Sequence, residues 1–155
     1  MKLGIGSDGE KENNTLDLFD EIKFASLLEK VTTLDPTAGD PWDVLEMATT
    51  GGARVLGIDR VTGSLETGKR ADVVTVALDG LHTTPVLHGR DFNVAAHLAF
   101  SSSGADVRDV WVDGRHLVAG AVPQFVSVDE VRATAQAAAE ELFERRASLT
   151  PAPMP

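Results

Sequence analysis

The chain opens on a run that cannot be a sheet by itself. Met1 to Gly6 is a very short apolar segment with two glycines, reading as a buried strand, and only Met1 to Leu3 precede the glycine-rich stretch "GIGSDG" at residues 4–9. No parallel partner lies near it, because the β-rich sequence returns only after Ala71 and then as a hairpin. A parallel strand needs neighbours joined by crossovers of a dozen or more residues. Either the run pairs with the later strands in an α+β arrangement, or the chain is the C-terminal piece of a larger α/β protein.

A chain of 155 residues, 43% hydrophobic and 25% charged, has the balance of a soluble globular protein with a core. Its 24 acidic residues against 14 basic ones leave a net charge of -10, which repels phosphate backbones and anionic membranes. Nucleic acid is therefore excluded as an expected partner. There are no cysteines, so thiolate metal sites and cysteine nucleophiles are ruled out, and any metal must be held by His, Asp or Glu. The N-terminus has neither the charge pattern nor the apolar length of a signal peptide or membrane span, and the expected location is the cytoplasm.

Further along, Asn14 reads as a helix cap ahead of Leu16, Phe19, Ile22, Leu27, Leu28 and Val31 at helical spacing. Asp40-Pro41-Trp42-Asp43 announces a second helix, expected to stop at Gly51-Gly52 with about one more turn from Ala53 to Leu56 before Gly57. The period then changes: 72–78 reads as a strand, and 107–112 with Asp113-Gly114 and 115–118 as a two-residue hairpin. The stretch 80–104 reads as loop with one short helix near 93–100. Ser127-Val128-Asp129-Glu130 is a capping box for an alanine-rich helix to about Arg146, followed by a frayed tail.

The "GIGSDG" run matches the glycine spacing of a dinucleotide turn, but the required strand before it and helix directly after it are missing. Asp8, Glu10 and Glu12 would also set carboxylates beside a phosphate. A calcium loop counted from Asp8 fails at its sixth and twelfth places, which hold Asn13 and Phe19. Two readings stay open: a plain turn with a solvated acidic rim, or a strand end presenting Asp8 to an open site, where parallel-sheet and barrel enzymes hold catalytic groups.

The segments "GIGSDGEKENNTLDLFDEIKFASLLEKV", "DPWDVLEMATTGGARVLGID", "TGSLETGKRADVVTVALD" and "DVRDVWVDGRHLVAGA" together resemble the C-terminal part of the amidohydrolase superfamily. The branch is that of metal-dependent deaminases and chlorohydrolases, including the methylthioadenosine/S-adenosylhomocysteine deaminase-like proteins. The resemblance implies an α/β fold: the last strand and helices of a (β/α)8 barrel over residues 1–57, part of a small β-sandwich over 58–126, a closing helix over 127–147 and a disordered tail over 148–155. It implies that Asp8 ligates a divalent metal, zinc or iron, and accepts a proton from the water attacking the ring. Asn13 matches the first asparagine of a family "SNN" in the loop over the ring pocket, implying a substrate-side role, while Glu12 departs from the serine there.

The family's His-x-His pair and later histidines fall on sequence preceding the aspartate and are absent from this chain. His82, His88, His97 and His116 have no metal-ligand spacing and read as surface or hydrogen-bonded histidines. Lys69-Arg70 reads as a turn into a strand, and Trp42 and Trp111 as core or domain contacts. One carboxylate does not hold a catalytic zinc. The expectation is thus the C-terminal portion of an enzyme that hydrolyses carbon-nitrogen bonds of a small heteroaromatic amine. Taken alone it is expected to be inactive, without a stable metal, and to form a homo-oligomer or to associate with the missing barrel half. The alternative is a non-enzymatic remnant or interaction module that pairs with a partner chain.

Overall fold

The structure is a computed structural model and describes residues 2–148 of the chain. The chain divides into two compact units, Met1–Val122 and Pro123–Pro155.

In the first unit, helix α1 (Leu18–Thr33) begins later than the sequence suggests. Asn13 Oδ1 accepts from the backbone N–H groups of Thr15 and Leu16, both at 3.1 Å, and Leu16 takes a left-handed φ of 50°. This turn keeps the backbone out of helical torsion until Asp17, whose carboxylate caps the helix by accepting from Phe19 N at 3.0 Å. Asn13, Asn14 and Asp17 are all competent caps, and the local turn selects the last of them.

The second helical stretch corrects a firmer expectation, since Gly51-Gly52 does not stop it. Helix α2 (Pro41–Glu46) passes through a π-turn at Met47–Gly51 into α3 (Gly52–Leu56), and the run ends at Gly57 in the left-handed region. The N–H of Gly52 reaches the Met47 carbonyl five residues back, so one extra residue widens the turn without breaking it. Asp40 caps as expected, accepting from Trp42 N at 2.8 Å, with Pro41 in the first turn.

Helix α4 (Val94–Phe100) is the short helix expected near residue 93. Ile22 of α1, Val44 of α2 and Ala99 of α4 are buried together, with Ile5, Phe19, Ala25, Leu45, Ala48 and Phe100 packed around them. The outer side of α1 is left bare: Phe24, Leu28 and Val31 are exposed at helical spacing. Trp42 is not a core residue; it is exposed and stacks on Phe92 with ring centroids 6.3 Å apart.

Strands β1 (Val73–Val76), β2 (Val107–Val112), β3 (Arg115–Ala119) and β4 (Val122–Pro123) form a sheet in that order, and the division between the units falls within β4. β1 pairs antiparallel with β2, Val74 opposite Val110, and β2 with β3, Trp111 opposite His116. The hairpin turn has φ of 51° at Asp113 and 75° at Gly114, the doubly positive pattern of a tight two-residue turn. Lys69 closes the turn before β1, its N–H donating to Glu66 O at 3.1 Å, and Arg70 N donates to Val61 O at 2.8 Å.

The first residues do not form a strand. Residues 2–8 pair with no strand among the described residues and are largely exposed; Leu3 and Gly4 lie against the backbone of Gly51 and Gly52 instead.

In the second unit, α5 (Val128–Ser148) is capped by Ser127, whose hydroxyl accepts from Glu130 N at 3.3 Å. Asp129 and Glu130 in its first turn and Arg145 and Arg146 in its last complement the helix dipole. The frayed tail expected after it lies outside the described residues apart from Ser148, which ends α5. No described helix is long and apolar enough to cross a membrane.

Candidate functional site

The loop that carries both candidate residues is built from short-range hydrogen bonds. Asp8 is exposed at a φ of 58°, and its Oδ1 accepts from Gly9 N at 2.8 Å. Asp and Asn tolerate this left-handed region better than other side chains because their short polar groups bond locally. The Gly9 carbonyl then accepts from the N–H groups of Glu12 at 3.1 Å and Asn13 at 2.9 Å, closing one helix-like turn.

Asn13 is half-buried and points elsewhere. Its Nδ2 donates to Glu21 Oε1 at 2.5 Å, tying the loop to the first turn of α1. A cleft of ≈ 420 Å³ opens here, lined among others by Glu12, Asn13, Thr15, Asp20, Glu21 and Phe24. Its three carboxylates repel anions and suit a neutral or cationic group rich in hydrogen-bond donors, with the Phe24 ring as an apolar wall. Asp8 does not line this cleft. The structure therefore sets Asp8 and Asn13 on one turn, joined through Gly9, with their side chains on different partners.

A larger cavity of ≈ 510 Å³, lined by Ile5, Ala53, Leu56, Ile58 and Val73 among others, contains neither candidate and is mostly apolar. Its polar lining includes Thr62, whose hydroxyl donates to Asp72 Oδ2 at 2.5 Å.

Three of the four histidines are engaged locally, and His88 is exposed. His82 Nε2 lies 3.0 Å from Asp106 Oδ1, and His97 Nε2 lies 2.9 Å from the Pro85 carbonyl. His116 stacks on Trp111 at 4.4 Å and meets Asp109 Oδ1 at 2.9 Å. Among the described residues no group of three or more His, Asp or Glu side chains is arranged to hold a metal. A catalytic zinc takes about three protein ligands. Asp8 with its immediate neighbours does not fit a bound metal by itself.

Two structural relationships are not visible in the sequence. Glu21 belongs to no motif there, yet it anchors Asn13. Gly51-Gly52 was read as a stop, yet it lies against the start of the loop. A Cβ on Gly4 would come within 2.9 Å of Gly52 Cα, and one on Gly51 within 2.6 Å of the Leu3 carbonyl oxygen. The further turn expected from Ala53 to Leu56 is present, continuous with the helix before it.

The described residues thus form an α/β scaffold with Asp8 on an exposed turn. The pattern of the amidohydrolase family matches residues 1–117, and the chain belongs to that family. It is 45% identical over 145 residues to a 5'-deoxyadenosine deaminase of Methanosarcina acetivorans, covering 94% of this chain and 32% of that protein. It is 42% identical over 144 residues to a 5-methylthioadenosine/S-adenosylhomocysteine deaminase of Desulforudis audaxviator, covering 93% and 32%. Its fold matches the crystal structure of an adenosine deaminase from Xanthomonas campestris with bound zinc at a TM-score of 0.85, with 34% identity over 93% of this chain and 32% of that one. Atrazine chlorohydrolase from Arthrobacter aurescens, also complexed with zinc, matches at 0.70 with 25% identity over 88% and 29%. The chain thus spans about a third of the length of the relatives it matches. The α/β class and the resemblance read from "TGSLETGKRADVV" and its companion segments both stand.

Proposed function

We propose that this chain supplies the C-terminal third of a metal-dependent amidohydrolase that hydrolytically deaminates a heteroaromatic, purine- or pterin-like amine. Residues 1–57 are then the closing end of a (β/α)8 barrel, 58–126 a β-sandwich segment and 127–147 a closing helix. The observation that carries the reading is Asp8, held exposed on a turn whose base is packed on a helix, in a chain 45% identical to a deaminase of an adenosine-type nucleoside.

In this reading Asp8 is one ligand of a zinc or iron site whose other ligands lie outside the residues described. A divalent metal supplies Lewis acidity and a more acidic water. The carboxylate of Asp8 accepts the proton released as water adds to the amino-bearing ring carbon, and the proton passes to the amine, which leaves as ammonia. The new carbon-oxygen bond replaces the carbon-nitrogen bond, so no redox partner is needed. Asn13 faces the substrate side, its amide fixed by Glu21.

The test is ammonia release from 5'-deoxyadenosine and methylthioadenosine with zinc present. The chain is assayed alone and with a polypeptide comprising the part of the Methanosarcina acetivorans relative that precedes the matched region. The expected result is no turnover alone, turnover when complemented, and loss of that turnover with Asp8→Asn. Stoichiometric zinc and turnover by the chain alone would overturn the shared-site reading. Association without any turnover would instead favour a non-enzymatic interaction module.

A further inference from the structure

Gly51 and Gly52 gain no conformational advantage from being glycines. Both are right-handed helical, with φ and ψ of -62° and -50°, and -57° and -46°. Any residue adopts these torsions, and in a helix interior glycine is among the weakest formers. Any need for a missing side chain must come from a neighbour instead.

The neighbour is the segment from Leu3 to Ile5. A Cβ on Gly51 would stand 2.6 Å from the Leu3 carbonyl oxygen and 3.0 Å from the Glu46 carbonyl oxygen. A Cβ on Gly4 would stand 2.9 Å from Gly52 Cα and 3.4 Å from Gly52 N. These distances meet backbone, which cannot swing aside as a side chain can. A Cβ on Gly52 would meet only the Met47 carbonyl oxygen at 3.6 Å, an ordinary contact. The two adjacent helix glycines are therefore unequal: Gly51 makes room for the loop segment, and Gly52 is free to carry a methyl group.

We infer that Gly4 and Gly51 are positioning residues for Asp8. The backbone-to-backbone contact they permit fixes where the segment leaves the helix, and Ile5 pins it to the core formed by Ile22, Val44 and Ala99. A Cβ on Gly6 would meet nothing within 4 Å, so close contact ends at Ile5 and Asp8 stands three residues beyond the anchor. The π-turn is part of the device, because its extra residue falls where the segment docks. The catalytic meaning of this contact rests on the role proposed for Asp8; the contact itself does not.

Hydrogen exchange on the full chain tests the geometry without any assay of turnover. The amides of Glu12 and Asn13, bonded to Gly9 O, report how firmly the Asp8 turn is held. Gly51→Ala and Gly4→Ala, which force backbone apart, are expected to speed exchange over residues 9–13 about tenfold, with Gly52→Ala unchanged there. In the complemented enzyme the first two variants are expected to lower kcat with KM little altered, and Gly52→Ala to match the unsubstituted chain. Gly4→Ala leaves the helix sequence untouched and decides the matter if Gly51→Ala fails to fold. Equal loosening by Gly52→Ala and Gly51→Ala, or no change at 9–13 in Gly4→Ala, would overturn the inference. A complemented assembly without deaminase activity would remove the proposed function and leave the exchange result standing.

Discussion

Asp17 holds two parts of the first unit with one carboxylate: Oδ1 accepts from Phe19 N at 3.0 Å, capping α1, and Oδ2 accepts from Gly104 N at 2.7 Å, far along the chain. The second bond ties the start of α1 to the turn that precedes β2. It links the helix to the chain that leads into the sheet.

Asp17→Ala removes both bonds and should destabilise the chain by about 2 kcal/mol, combining a lost cap with a lost hydrogen bond to a charged acceptor. Asp17→Asn keeps a capping oxygen and should cost about half as much. Denaturant melts of the two variants check the order: equal losses would show that the cap contributes nothing, and an unchanged Asp17→Asn that the Gly104 bond contributes nothing.

A buried polar contact supports the next expectation. Ser26, fully buried within α1, donates from Oγ to the Gly39 carbonyl at 2.6 Å. Gly39 has a φ of 61°, and a Cβ there would lie 2.7 Å from the Ser26 carbonyl oxygen. Ser26→Ala strands the Gly39 carbonyl and should cost about 1–3 kcal/mol. Gly39→Ala adds a backbone clash to an unfavourable torsion and should cost more than Ser26→Ala. Thermal melts that rank the two the other way would contradict this account of the close approach.

What the sequence disclosed follows from the range of the interactions involved. The Asp113-Gly114 hairpin, the Asp40-Pro41 helix start and the Ser127 cap are decided within a few residues, and each lies where its motif indicates. The start of α1 was misplaced because three capping residues compete within Asn13 to Asp17, and the Asn13 turn that settles the contest is not a periodic signal. Gly51-Gly52 misled for a different reason. Glycine ends a helix through backbone freedom but also permits close approach, and the approaching Leu3 carbonyl is nearly fifty residues distant. Asp8 is legible as a candidate and a turn there as one of two open readings, whereas the bonds at Gly9 that hold it are not.

Carboxylates at the sheet set the response to acid. Gly120 N–H, with His116 and Thr75, holds the Asp109 carboxyl below its ordinary value, against a smaller opposing effect of burial. Asp72 is lowered by the Thr62 hydroxyl and then by Asp113 N–H, and Asp106 by Ser103 N–H, with His82 adding to it. A group whose pKa falls on folding stabilises the folded state above its unfolded value, near 4, and loses that contribution as pH falls through the folded value. Stability should therefore decline below about pH 4. Asp109→Asn should flatten the decline while lowering stability at neutral pH. Chemical denaturation from pH 7 down to pH 2.5 measures both ends, and an unchanged slope in the variant would refute the assignment.

Asp8 offers the cleanest separation of function from folding. It is exposed, its one side-chain bond is to the adjacent Gly9 N, and its left-handed torsion suits asparagine as well as aspartate. Asp8→Asn keeps the shape, the torsion and an accepting oxygen while removing the charge. It should change stability by no more than about 0.5 kcal/mol. In the complemented enzyme the same substitution should abolish turnover, because a neutral amide neither binds a hard cation as a carboxylate does nor accepts a proton near neutral pH. Melting curves and ammonia release on one preparation give both readings. A stability loss of several kcal/mol would make Asp8 a structural residue, and retained turnover would remove it from the chemistry.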